Sequence, residues 1–225
     1  MTRICRRFDN LGLQDGVPDG RRWRLGIMGG TFDPIHVGHL ACAEQVRVAF
    51  DLDAVIFIPT GRPAFKQDRD VTPAEDRLRM CELACLENLH FDVSSLEIRR
   101  HGITYTVDTL RELREHYPPN VDLYFITGAD AMHSIVQWRE SAAVAQLAHL
   151  VAVTRPGYPL TEEKKREIAE RTEFDVSYFE MTALSISSSM LREWVEQGRS
   201  IRYLVPNRVH SYIETAGLYR KPQEA

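Results

Sequence analysis

Apolar and polar positions along the 225-residue chain switch repeatedly between two periods. Short β-branched or aliphatic runs predict strands at RLGIM (24–28), AVIFIP (54–59), FDVSSLEI (91–98), DLYFIT (122–127), HLVAVT (149–154) and FDVSYFE (174–180). Longer amphipathic runs between them predict helices. TPAEDRLRMCELACLEN opens with Thr72 as N-cap, Pro73 at the first helical position and Glu75 and Asp76 in the first turn. YTVDTLRELREHY, LTEEKKREIAERT, SSSMLREWVEQG and PNRVHSYIETAG carry further helical patterns, the last two closing on glycine. This alternation predicts an α/β fold, a Rossmann-like doubly wound parallel sheet. Such sheets bind ligands at the carboxyl ends of their strands, where the strand order reverses.

Residues 1–22 show neither period and are rich in arginine and glycine, so they are expected to be a disordered or weakly ordered N-terminal extension. Asp9, Asp15 and Asp19 argue against a transit peptide. Residues 23–225 then form a single domain, as the length and 44% hydrophobic content allow. A net charge of −4 argues against general affinity for nucleic acid or an anionic membrane, so an anionic ligand must meet local positive charge. Cys5, Cys42, Cys81 and Cys85 lack zinc-site spacings and read as small apolar residues in a reducing compartment. No apolar stretch approaches the ~18 residues of a membrane span, and the N-terminus has no signal-peptide core; a cytoplasmic location is expected.

Candidate chemistry concentrates in IMGGTFDPIHVGHL (27–40). Gly29 and Gly30 follow the first long strand, where bare backbone N–H groups can approach a phosphate at the next helix start. The chain has neither a dinucleotide-binding G-x-G-x-x-G here nor a Walker loop anywhere. His36 and His39, three apart, fall on one helical face with Cβ atoms about 5–6 Å apart, so two donors converge. An isolated pair of this kind also serves as packing or capping groups, and a metal site with Asp33 has no obvious further ligand. SISSSMLR (185–192) adds hydroxyls at a second helix start and a guanidinium at Arg192, a combination suited to an anion. Two phosphate-suited helix starts in one α/β chain point to a nucleotide.

Together, GGTFDPIHVGH and ISSSMLR resemble the nucleotidyltransferase superfamily marked by H-x-G-H and an I-S-S-T-x-I-R-like element. Within it the chain is similar to the bacterial nicotinate-nucleotide adenylyltransferases, from about Arg24 to Tyr219. PTGRPAFK, TYTVDTL, TGADAMHSIVQW and VTRPGY support the likeness. The resemblance implies that His36 and His39 polarise ATP phosphates, with Gly29, Gly30 and Thr31 lining the phosphate site. It implies that Ser187, Ser188 and Arg192, beside Ile186, hold the β and γ groups, as Lys66 does, and that Gly128 and Asp130 contact the ribose. Thr104, Tyr105, Thr106 and Trp138 match positions around the nicotinate ring. Ser189 stands where the family often has Thr, and the extension has no assigned counterpart.

The implied reaction is in-line attack of a mononucleotide phosphate oxygen on the α-phosphorus of ATP, giving deamido-NAD and pyrophosphate without a covalent intermediate. It needs positioning and charge stabilisation more than a protein nucleophile. Mg²⁺ is expected to arrive on the triphosphate, with no dedicated protein ligands. The expected partners are ATP and nicotinate mononucleotide, with no nucleic acid and no membrane; a homo-oligomer is left open. Rivals are a nicotinamide mononucleotide or phosphopantetheine adenylyltransferase and a catalytically silent nucleotide sensor. A class I aminoacyl-tRNA synthetase lacks its K-M-S-K-S partner here.

Overall fold

Ala54–Pro59 is buried at every position, the pattern of a strand covered on both faces, and it has a strand on either side in the sheet that organises the molecule. The computed structural model describes residues 3–63, 71–100, 102–128, 132, 138–154, 161–171, 173–182 and 184–221. In chain order the strands are β1 (Leu13–Gln14), β2 (Val17–Pro18), β3 (Trp23–Gly30), β4 (Ala54–Pro59), β5 (Arg62–Pro63), β6 (Phe91–Val93), β7 (Ile103–Thr104), β8 (Val121–Gly128), β9 (His149–Thr154) and β10 (Val176–Glu180). The helices are α1 (Val37–Ala49), α2 (Ala74–Cys85), α3 (Leu96–Arg99), α4 (Thr106–His116), α5 (Ser141–Leu147), α6 (Glu162–Arg171), α7 (Ser188–Glu196) and α8 (Asn207–Ala216).

Six strands form one parallel sheet in the order β10-β9-β8-β3-β4-β6. The chain runs outward from β3 to β6, returns to β8 beside β3, and runs outward again to β10. The order therefore reverses between β3 and β8. One face packs Leu25, Ile27 and Ile56 against Leu110 and Leu113 of α4, Val144 of α5 and Ile168 of α6. The other packs Val55 and Phe57 against Val46 of α1, Met80 of α2, Leu191 of α7 and Val209 of α8. Helices on both faces make the sheet doubly wound, as the alternating pattern predicts.

Three local expectations are corrected. The predicted strand 91–98 ends at Val93, because the Ser94 hydroxyl accepts from Leu96 N–H (3.2 Å) and α3 begins there. Helix α2 starts at Ala74 with Pro73 as N-cap, because Pro73 O accepts the first intrahelical N–H, from Arg77 (3.2 Å), while Thr72 N–H goes to the Asp33 carboxylate (3.3 Å). The third concerns the N-terminal extension, which is not weakly ordered across residues 3–22. Ile4, Cys5 and Leu11 are buried in the core and Phe8 packs against it. The Arg7 guanidinium donates to the carbonyls of Asn88 (2.7 Å), Phe91 (2.8 Å) and Leu86 (3.2 Å), which lashes the segment to edge strand β6 and the turn before it. Ser94 Oγ donates to Ile4 O (2.6 Å) and Asn120 Nδ2 to Gly12 O (3.0 Å), which fixes both ends of this strap.

Candidate active site

Beyond the carboxyl end of β3 the chain turns sharply. Phe32 takes a left-handed φ of 50° and the Asp33–Pro34 peptide is cis. The Phe32 ring folds back over Gly30, where a Cβ would stand 2.9 Å from ring carbons, so glycine is required by close approach. The same ring meets His39 edge-on at 5.1 Å. His36 is the N-cap of α1 and is buried, while His39 is half-buried one turn on. Their rings stack at 3.7 Å with an interplanar angle of 21°. Gly38 leaves room for this, since a Cβ there would lie 3.0 Å from His36 Nδ1. The backbone N–H of His36 donates to His39 Nδ1 (3.2 Å), so a neutral His39 carries its proton on Nε2. That leaves an N–H donor on the far side of the ring.

Helix α7 is bolted to the same turn. Ser187 is its N-cap and accepts from Met190 N–H (3.2 Å). Ser188 Oγ donates to Pro34 O (2.9 Å), and Arg192 Nη1 donates to Asp33 O (2.7 Å). Arg192 Nη2 reaches Ser189 Oγ at 3.3 Å, and Ile186 is buried across from Gly38. Residues more than 150 positions apart in sequence thus present two helix N-termini, two imidazoles and a guanidinium around one turn.

The other predicted residues fall into two groups. Gly128 ends β8, beside β3, so it lies at the strand-order reversal. Thr104 ends β7, Tyr105 caps α4 and Thr106 is its first residue. The β5–β7 pair joins them to the loop after β4, with Pro63 opposite Thr104. The Thr104 hydroxyl is buried without a hydrogen-bond partner, so it does not open onto a site in this conformation. Trp138 packs at the core edge, its ring 5.9 Å from Phe125 in a T-shaped contact, with Arg139 over the Tyr105 ring at 4.8 Å. Lys66 and Asp130 lie outside the described residues.

The cytidylyltransferase-like family model matches residues 27–194. A protein of Desulfitobacterium hafniense named "Probable nicotinate-nucleotide adenylyltransferase" is 52% identical over 200 residues, covering 88% of this chain and 96% of that one. The namesake of Moorella thermoacetica is 47% identical over 202 residues, covering 89% and 93%. The chain belongs to the nicotinate-nucleotide adenylyltransferase family. The fold agrees: nicotinic acid mononucleotide adenylyltransferase of Plasmodium falciparum, complexed with NaAD, superposes with a TM-score of 0.70 at 20% identity, covering 88% of this chain and 98% of that one.

In this nicotinate-nucleotide adenylyltransferase family member, a buried network that sequence reasoning missed holds the turn in place. Arg77 of α2 is 1% exposed and donates to three carbonyls: Thr31 O (2.8 Å), Thr72 O (2.9 Å) and Gly61 O (3.2 Å). Burial lowers its pKa, partly countered by Asp33, yet an arginine stays protonated. Asp33 accepts from the Tyr219 hydroxyl (2.7 Å), whose pKa is raised by burial and then by the Asp33 charge. The signal was present for Arg77: positions 77, 80, 81 and 84 are the apolar stripe of α2, and a cation on that stripe must find buried acceptors. Tyr219 carries no such local sign. Arg77→Met is expected to destabilise the fold by about 2 kcal/mol or more, because three carbonyls lose their donor. Urea unfolding checks this; a change under roughly 0.5 kcal/mol would remove Arg77 from the scaffold.

Proposed function

We propose that this chain transfers the adenylyl group of ATP to nicotinate mononucleotide, releasing pyrophosphate and forming deamido-NAD for NAD biosynthesis. The observation that carries the reading is the joining of the His36–His39 stack and the α7 N-terminus on one turn at the strand-order reversal. A mononucleotide phosphate oxygen attacks the α-phosphorus in line, the bond to the bridging oxygen breaks, and the electron pair leaves with pyrophosphate. His39 Nε2–H, the helix N-termini and the Arg192 guanidinium stabilise the charge that develops on phosphate oxygens. Gly29, Gly30 and Thr31 line the path of the phosphates. Lys66, Gly128 and Asp130 enter this proposal by family resemblance alone.

Bound Mg²⁺ supplies charge neutralisation on the triphosphate. The residues present fit an ion held by nucleotide oxygens and water. Imidazole, hydroxyl and guanidinium groups suit phosphate, the Asp33 carboxylate is engaged by Tyr219 and Thr72, and no cluster of three His, Cys, Asp or Glu able to hold a metal stands among the described residues. Among the described residues no helix is long and apolar enough to cross a membrane. Four buried cysteines, none in a disulfide, support a reducing cytoplasmic setting.

Nicotinate and nicotinamide mononucleotide differ by a carboxylate against an amide, and groups that only donate select the carboxylate. The first N–H groups of α4 and the hydroxyls of Tyr105 and Thr106 suit that task, with Trp138 as a face for the ring. The expected preference for the acid is at least about tenfold in kcat/KM, needing only ~1.4 kcal/mol. Pyrophosphate release from ATP with each mononucleotide measures it. Equal turnover of both would replace the acid-specific reading with dual specificity.

A further inference from the structure

Glu97 of α3 is a buried carboxyl, 6% exposed, between the loop after β4 and the segment proposed to hold the mononucleotide. Its backbone presses on the loop after β4: a Cβ on Gly61 would lie 2.4 Å from Glu97 O. Its side chain faces the other segment. Glu97 Oε1 accepts from Thr109 Oγ1 of α4 at 2.7 Å, while Oε2 is buried with no hydrogen-bond partner. Thr109 Oγ1 also accepts from Arg100 Nη2 (2.8 Å) and lies 3.4 Å from Tyr105 O, the carbonyl that opens α4. That carbonyl already receives Asp108 N–H (3.2 Å) and Thr109 N–H (3.3 Å).

We infer that Glu97 is a positioning residue that sets the acid-against-amide preference of the mononucleotide site by taking up or releasing one proton. When Glu97 is ionised, Thr109 donates to Oε1 and a negative charge lies buried beside the segment 104–106. When Glu97 binds a proton from solvent, its O–H at Oε1 donates to Thr109 Oγ1. The Thr109 hydrogen then turns to Tyr105 O, a back-bond to the carbonyl that opens α4. The hydroxyl has capacity for this, with two acceptor sites for Arg100 and Glu97 and one donor. The neutral state removes a like charge from the neighbourhood of a nicotinate carboxylate and leaves the amide substrate nearly unaffected.

The exchange falls in the working pH range. Burial pushes Glu97 up to about 7 from 4.5, against the Thr109 hydrogen bond and the nearby Arg100 and Arg77; Glu112 adds to the rise. The folded-state value is raised, so the folded chain binds the extra proton. Glu97 thus costs stability progressively as pH rises from about 4.5 through about 7, and the cost is complete above that.

The test is the ratio of kcat/KM for nicotinate and nicotinamide mononucleotide from pH 6 to 8, since both share the phosphate and the histidine site and their titrations cancel. In wild type the ratio is expected to fall by about threefold or more as pH rises, a modest share of what two like charges exert across a protein interior. Glu97→Gln flattens it and removes the 4.5-to-7 slope of thermal stability. Thr109→Val moves the transition to higher pH, because the hydroxyl favours the ionised carboxyl, and Thr109→Ser restores it; this pair decides if Glu97→Gln does not fold. A wild-type ratio independent of pH, or a Thr109→Val profile equal to wild type, overturns the inference. It rests on the assignment of residues 104–106 to the mononucleotide, whose failure reads differently. Tyr105→Ala would then leave both mononucleotide KM values unmoved at every pH, whereas failure of the inference alone leaves Tyr105→Ala impaired and the Glu97→Gln profile equal to wild type.

Discussion

His39→Ala lowers turnover by about 10²–10³-fold and leaves the fold intact, the usual loss when one preorganised donor to a transition state is removed. The ring owes its preorganisation to three contacts from two neighbours. His36 N–H occupies Nδ1, the Phe32 edge stands against one side, and the His36 ring stacks on the face. A donor fixed this way costs no reorientation as charge develops on the phosphates. Truncation removes the Nε2–H and also the acceptor for His36 N–H, so the melting temperature falls slightly, by an amount equivalent to about 1 kcal/mol. Single-turnover pyrophosphate release with saturating ATP checks the chemistry, and circular dichroism checks the fold. Turnover within about threefold of wild type in a folded mutant would take His39 out of the mechanism.

Deleting residues 2–22 is the second large effect, and it falls on stability. Ile4, Cys5, Phe8 and Leu11 leave the core, and at about 1.5 kcal/mol or more for each the apolar loss alone is on the order of 5 kcal/mol. Domains commonly hold only about 5–15 kcal/mol in total. The carbonyls of Asn88 and Phe91 lose the Arg7 guanidinium, and the outer edge of β6 loses its cover and becomes free to pair with another chain. The expected result is aggregation, or a large fall in melting temperature in light scattering and thermal melts. A soluble truncation melting within roughly 3 °C of the full chain would show that the strap adds nothing.

The sheet was legible because a buried parallel strand writes its burial into a continuous apolar run, as AVIFIP does, and the helices write theirs into a 3.6-residue period. The phosphate-suited turn was legible because glycine, proline and histidine crowd a short stretch. What stayed hidden has no period. Arg7 and Arg77 act by placing guanidinium donors on carbonyls from distant turns, and sequence spacing does not encode that geometry. The strap was misread for the same reason: arginine marks solvent in most polar segments, and here it carries the packing. α3 hid inside an apparent strand because Ser94 turns the chain with its own side chain. Among the site residues, the Thr104 hydroxyl was expected at the nicotinate, yet it is buried without a hydrogen-bond partner. Residue type alone does not reveal which way a side chain faces.

The strap also governs how this chain meets electrophiles. Cys5 is on the inner side of the strap within reach of Tyr117, and burial and the Asp92 charge push its thiol up to about 12; burial raises Cys85 and Cys81 as well. At neutral pH these three groups remain protonated and shielded, so alkylating and oxidising agents find no thiolate at them in the closed molecule. Covalent labelling of Cys5 then requires the strap to lift, and at low reagent its rate counts how often the N-terminus detaches while the sheet stays folded.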